Sequence, residues 1–289
     1  MSGYVERIGA NWERAARRLR VAPARLQPID GRRVVLIVLA GVALILLTGF
    51  LFDARLIAWS RTLSPSTRAV LEWITRWGKS DWLLIPSGVV VVAVLLGDWS
   101  RVSRANAAAW FEIATFAAVL FIVVAASGLT TDIIKPIVGR FRPDYVAQGT
   151  LAFAPFSFGG YANYSFPSGH ATTMAAVAVM AVFVPGVVTI PVVLATGLVA
   201  FSRVMLAVHY PSDVVGGALI GFGVGYLILR LMTAAGIVYA VRGGRRRHRF
   251  GIFARLCRRG GRLSELFPAL WVALSPLPSP PRVPPPDPR

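Results

Sequence analysis

The sequence predicts an all-α, polytopic membrane protein: a helical bundle of six transmembrane helices. Three observations carry that reading. Apolar residues make up 55% of the 289 positions and charged residues only 15%, with a mean hydropathy of +0.62; a soluble domain carries about a quarter charged residues. The apolar residues are gathered into blocks separated by polar, Trp- and Pro-containing connections. Arginine crowds both ends, with eight arginines against three acids in Met1–Arg33 and eleven against two after Tyr239. Six spans return both termini to one side, and the arginines assign that side to the cytoplasm.

Taken in order, residues 1–33 form a basic segment whose helix-like pattern from Val5 to Leu19 suits an amphipathic helix on the cytoplasmic face. It is too long for the charged region of a signal peptide, and no small-residue cleavage site follows the apolar run. The first span is Val34 to Leu51. A Trp-containing amphipathic connection, Phe52 to Trp82, leads to a short second span, Leu83 to Leu96, flanked by Trp82 and Trp99. At about twenty residues per crossing, that span depends on its tryptophan anchors. The third runs from Ala107 to Thr130. After a polar, aromatic-rich loop from Thr131 to Phe166, the fourth begins at His170. Val184-Pro185-Gly186 turns the chain into a fifth span ending near Val208, and the sixth covers Val214 to Met232. The six-span domain is thus residues 34–235. A basic interfacial tail (236–275) and a proline-rich, disordered end (276–289) follow.

The net charge of +18 invites a nucleic-acid reading, but arginines clustered at two membrane flanks suit anionic lipid better, and no nucleic-acid partner is expected. Lys79 and Lys135 are the only lysines. Cys257 is the lone cysteine, which excludes an internal disulfide or a cysteine metal site.

Three polar clusters fall on the external face in this topology. Phe166-Pro167-Ser168-Gly169-His170 opens the fourth helix with a turn, a capping serine and free N–H groups, an anion site beside a titratable imidazole. By itself the same pentapeptide also reads as an ordinary helix cap. Lys135 and Arg142-Pro143, seven apart, are cations beside a span end, where snorkelling to headgroups is the plain alternative. Ser202-Arg203, His209 and Asp213 form the third cluster. Asp213, in the first turn after Pro211, can hold one nitrogen of His209 and leave the other unprotonated, as a histidine nucleophile or base requires; a helix-capping acid beside an interfacial histidine is the alternative. Only three histidines exist, and two lie in these clusters; His248 sits in an arginine run.

Together, Lys135-(six residues)-Arg142-Pro143, Pro167-Ser168-Gly169-His170 and Ser202-Arg203-(five residues)-His209-(three residues)-Asp213 resemble the type 2 phosphatidate phosphatase superfamily, whose site is shared with vanadium haloperoxidases. In the six-span topology the active site lies at the external, periplasmic face, and the resemblance implies its residue roles. His209 would be the nucleophile, forming a phosphohistidine, with Asp213 orienting it and His170 serving as acid and then base. Lys135, Arg142, Ser168, Gly169 and Arg203 would hold the phosphoryl oxygens.

Phosphoryl transfer spreads negative charge over equatorial oxygens, so fixed cations and N–H donors suit it. Asp132, Asp144 and Asp213 are the only acids from Thr131 to Asp213, too few for a metal cage, and no metal or other cofactor is expected. Asp132 reads as a loop or helix-end residue and Arg140 as a headgroup contact. The aromatics of the external loop suit either a lipid entry or an interfacial belt. The expected function is a metal-independent phosphatase of a bacterial inner membrane, acting on a lipid phosphate or diphosphate: undecaprenyl diphosphate, phosphatidate, phosphatidylglycerophosphate or lipid A phosphate. A lipid phosphotransferase using the same intermediate is the alternative within enzymes, and a non-catalytic scaffold or channel the alternative outside them. The sequence leaves the oligomeric state open.

Overall fold

The structure, a computed structural model, describes residues 2–19, 28–146, 152–181, 189–237, 239–242, 245–248 and 263–275. The turn at Val184-Pro185-Gly186, Cys257 and the proline-rich end lie outside them. The amphipathic segment at the N-terminus is helix α1 (Ser2–Leu19). Helix α2 (Gly31–Thr48), capped by Asp30 accepting from the Arg32 N–H, passes through a π-turn (Gly49–Asp53) into α3 (Ala54–Ser60), one helical run of 30 residues. The connection expected from Phe52 contains α4 (Pro65–Thr75), started by Ser64 and Pro65, and a 3₁₀ turn (Arg76–Gly78). Helix α5 spans Asp81–Leu96.

Helix α6 (Arg104–Val138) is longer than the apolar block that announced it. Thr131, Asp132 and Lys135 belong to its last turns rather than to a loop. The helix continues past Pro136 and ends where Gly139 turns left-handed (φ 58°) and donates to the Lys135 carbonyl. A side chain is excluded at Gly139 because the Ala154 carbonyl lies where its Cβ would be. After the short helix α7 (Pro143–Val146) come α8 (Gly169–Ala181), α9 (Thr189–Met205) and α10 (Pro211–Ala234). The tail adds what the helical reading did not contain, an antiparallel hairpin of β1 (Tyr239–Arg242) and β2 (Arg245–His248), before α11 (Leu263–Leu274).

Among the described residues four helical runs, Gly31–Ser60, Pro65–Leu96, Arg104–Val138 and Pro211–Ala234, are long and apolar enough to cross a membrane, while α8 and α9 are apolar but shorter. The central core joins Leu83 of α5, Val119, Val123 and Val124 of α6, Ala176, Val179 and Met180 of α8, and Leu229 of α10. Close packing of α8 on α10 depends on Gly217, Gly221 and Gly225, spaced four apart on one face. A Cβ at Gly217 would sit 2.3 Å from the Ser168 carbonyl oxygen, and one at Gly221 2.2 Å from that of Thr172. At the opposite end of α6 from Lys135, the side chain of Asn11 in α1 donates to the carbonyls of Leu95 and Gly97, and Trp110 donates to Leu266 of α11. Trp12, Phe267 and Trp271 project outward there.

Candidate active site

Each predicted site residue is placed by a local device. Residues 139–142 are laced to residues 152–165: Phe141 donates to Ala152, Ala154 to Gly139, Arg142 to Ala162 and Ser165 to Arg140, all through backbone N–H groups. That lacing directs Arg142 inward. Helix α9 ends just after Arg203, and Ala207 adopts a left-handed conformation (φ 57°) uncommon for a residue with a Cβ. The backbone N–H groups of Val208 and His209 then both donate to the Arg203 carbonyl. This tight turn delivers His209 to the N-terminus of α10.

His209 is fully buried, and its two nitrogens have different partners. Nδ1 lies 2.7 Å from the Ser165 carbonyl oxygen, to which it donates as N–H. Nε2 is thereby left unprotonated, and Arg142 Nη1 lies 3.4 Å from it. Asp213 is not the direct partner that the sequence suggested: its nearer oxygen is 3.7 Å from Nδ1, beyond hydrogen-bond range. Its carboxylate instead accepts from the Ser165 hydroxyl at 2.6 Å, the Tyr210 N–H at 2.9 Å and Arg140 Nη1 at 2.6 Å. Asp213 thus acts on His209 through Ser165 and through its charge. Burial pushes the imidazole pKa down to about 4; Asp213 works against that fall, and Arg142 and Arg203 add to it. His209 is therefore a neutral base at ordinary pH.

Arg142 approaches this nitrogen, and the other phosphate-binding candidates are held by partners of their own. Arg142 is held by the carbonyls of Tyr161 (2.8 Å) and Val208 (3.0 Å) and stacks 3.8 Å over the Tyr161 ring. Burial pulls its guanidinium below the usual arginine pKa. Arg203 is anchored by Nη1 to Thr75 Oγ1 at 3.0 Å, which brings α4 into the wall of the site. Lys135 pairs with Asp132 at 2.7 Å, and a Cβ at Gly169 would lie 3.6 Å from its ammonium nitrogen, so the lysine stands at the N-terminus of α8. His170, in the first turn of α8, packs against Gly78 and lies within electrostatic reach of Arg203, His209, Lys79 and Arg142.

Ser168 departs from its expected part. Its N–H donates to the Asp213 carbonyl, but its hydroxyl makes no capping bond. Among the described residues four buried side-chain polar atoms lack a partner, and two of them, Ser168 Oγ and Arg203 Nε, belong to this site. Leaving such groups unpaired costs roughly 1–3 kcal/mol each, which an anionic ligand would repay. Among the described residues no three His, Cys, Asp or Glu side chains group as metal ligands.

Sequence reasoning missed Arg140 and Asp53. Arg140 faces inward, bonded to Asp213 and Asp53 and stacked 4.0 Å over Tyr210. Burial opposes its charge, but Asp213 and Asp53 outweigh that and hold the guanidinium pKa above the usual value. For Arg140 the one signal was its closeness to Arg142 in the polar, aromatic-rich loop; Asp53 carried none.

Residues 116–237 match the model of the PAP2 superfamily. The chain is 34% identical over 229 residues to the lipid A 1-phosphatase of Rhizobium johnstonii, an alignment covering 78% of this chain and 90% of that protein. It is 39% identical over 117 residues to the decaprenylphosphoryl-5-phosphoribose phosphatase of Mycobacterium tuberculosis, covering 40% of this chain and 56% of that one. A solved PAP2 type phosphatidylglycerolphosphate phosphatase from Bacillus subtilis aligns over 66% of this chain and 93% of its own, with a TM-score of 0.46 and 24% identity. On the family match and the near-complete Rhizobium alignment, the chain belongs to the PAP2 superfamily. It is an integral membrane phosphatase of that family.

Proposed function

We propose that the protein is a metal-independent lipid phosphatase working through a phosphohistidine on His209, with lipid A phosphate as the substrate class that its relatives favour. Undecaprenyl diphosphate and phosphatidylglycerophosphate are the next candidates. The observation that carries the reading is the neutral Nε2 of His209 facing Arg142, together with two further predicted phosphate-binding groups, Ser168 Oγ and Arg203 Nε, that are buried and unpaired. In the first step the Nε2 lone pair attacks phosphorus and the P–O bond to the lipid breaks. His170, an imidazolium once the anionic substrate offsets the cations around it, gives its proton to the departing oxygen. In the second, His170 takes a proton from water, the hydroxide attacks phosphorus and the P–Nε2 bond breaks, releasing inorganic phosphate. Lys135, Arg142, Arg203, Ser168 and the Gly169 N–H hold the equatorial oxygens throughout.

In this reading the domain is residues 34–235 and α8 and α9 complete six spans, with both termini cytoplasmic and the site periplasmic. The arginine-rich ends support that orientation, as does the placement of α1 and α11 at the end of α6 away from Lys135. The test separates the two histidines. His209→Ala abolishes both phosphoenzyme and turnover on a panel of lipid phosphates. His170→Ala, offered an activated aryl phosphate whose leaving group needs no proton, accumulates acid-labile, base-stable phosphate on His209. Trapped phosphate on Ser168 or Ser202, or on His170 in the His209→Ala protein, would refute the assignment; labelled lipid product in place of free phosphate would make it a phosphotransferase.

A further inference from the structure

The π-turn in the first helical run ends on a buried carboxylate. Asp53 is buried, whereas α2, on the same run, presents most of its apolar side chains outward. Its Oδ1 accepts from the Ser212 N–H at 2.9 Å, and its Oδ2 from the Ser212 hydroxyl at 2.6 Å and Arg140 Nη2 at 2.7 Å. Arg140 Nη1 in turn donates to the Ser212 hydroxyl at 2.7 Å and Asp213 Oδ1 at 2.6 Å. The sequence separations are 87 residues for Asp53–Arg140 and 73 for Arg140–Asp213.

We propose that Asp53 and Arg140 are positioning residues of the phosphoryl-transfer reaction, holding Asp213 in place and keeping its surroundings negative behind His209. The proposal rests on the phosphatase reading above. Arg140 alone would neutralise Asp213, and the imidazolium that forms when Nε2 takes the phosphoryl group would then meet no net countercharge. Two carboxylates against one guanidinium leave a single negative charge behind the ring. The fork of Arg140, gripped on both nitrogens, also fixes the carboxylate oxygen geometry that a lone ion pair would leave free to swing. Other groups acting on His209 are Arg142 from the loop after α6, Arg203 from α9 and His170 from α8, so Asp213, backed by Asp53, is the negative influence among those named.

The experiment uses the full-length protein in detergent, in a His170→Ala background, with p-nitrophenyl phosphate as probe; the burst of p-nitrophenolate reports phosphorylation of His209. Asp53→Asn is expected to slow the burst about 10–100-fold, the order seen when a supporting carboxylate behind a metal-bound histidine is removed. The concentration for half-maximal rate should stay within about twofold, and the pH midpoint of the burst should move down, because a less negative site binds a proton less well. Asp53→Glu should recover part of the rate, and Arg140→Lys should fall between wild type and Asp53→Asn. A folded Asp53→Asn protein with an unchanged burst and pH midpoint would overturn the positioning role alone. Should Asp53→Asn fail to fold, a folded Arg140→Lys protein decides on the same readouts; both aggregating would show a structural role and overturn it as well. Absence of any burst in the parent protein, with His209 unlabelled, would refute the phosphatase reading itself.

Discussion

Replacing Gly217 with alanine tests whether the seat of the phosphate-binding turn is set by α10. A methyl carbon there would lie 2.3 Å from the Ser168 carbonyl oxygen and 3.1 Å from Thr172 Oγ1, about 1 Å inside an ordinary C···O contact. The oxygen cannot rotate away, since it accepts from the Thr172 N–H and hydroxyl, each at 3.0 Å. Either α8 or α10 must shift by roughly the missing distance, because a packed helix pair has no slack to absorb it. Overpacking of this kind costs about 1–3 kcal/mol, and a misplacement of about 1 Å costs on the order of 10²-fold in rate. Ser168, Gly169 and His170 move with α8 while His209 stays with α10, so kcat/KM for a lipid phosphate should fall about 100-fold and Tm should drop by several degrees. Gly223→Ala, on the same helix with nothing within 4 Å of the added carbon, is the matched control and should leave both unchanged. Wild-type kcat/KM in the Gly217→Ala protein would refute the claim that this contact sets the site.

Ser168→Ala should separate stability from activity. Removing a buried, unpartnered hydroxyl leaves Tm unchanged or slightly raised, while kcat falls by about 10²-fold through loss of a phosphoryl donor; a parallel fall in Tm would contradict this. The pH dependence of His209 phosphorylation should show an acid limb near pH 4 rather than 6.5, because burial depresses its pKa to about 4. The sign for stability agrees: between 6.5 and 4 the unfolded chain takes up a proton that the folded one refuses, so acidification through that window favours unfolding, seen as falling Tm. Activity should survive EDTA and be inhibited by vanadate, which mimics the transferring phosphoryl group; complete loss in EDTA with recovery on added magnesium would overturn the metal-independent mechanism.

Much of the candidate site was legible in local patterns. His170 lies in the first turn of α8, which directly follows Pro167 and Ser168, and His209 stands before Pro211 and Asp213 where α10 begins. The apolar blocks located α5, α8 and α10 to within a few residues, since burial in lipid or core leaves its mark residue by residue. The end of α6 was misplaced because polar Thr131 and Asp132 look like a loop, and only the left-handed Gly139, with the Ala154 carbonyl against it, shows where the helix stops.

The sequence by itself determined the membrane class, the polar motifs and their order, because each is a property of neighbouring residues. Only the tertiary structure decided who partners whom. It gave Nδ1 of His209 to the Ser165 carbonyl rather than to Asp213. It turned Arg140 from the headgroup region onto Asp213 and Asp53, and it left Ser168 Oγ without a capping partner. These pairings join residues 44 to 87 positions apart. A buried charge or polar group takes whichever partner the packed helices bring within about 3 Å, and spacing along the chain carries no record of that choice.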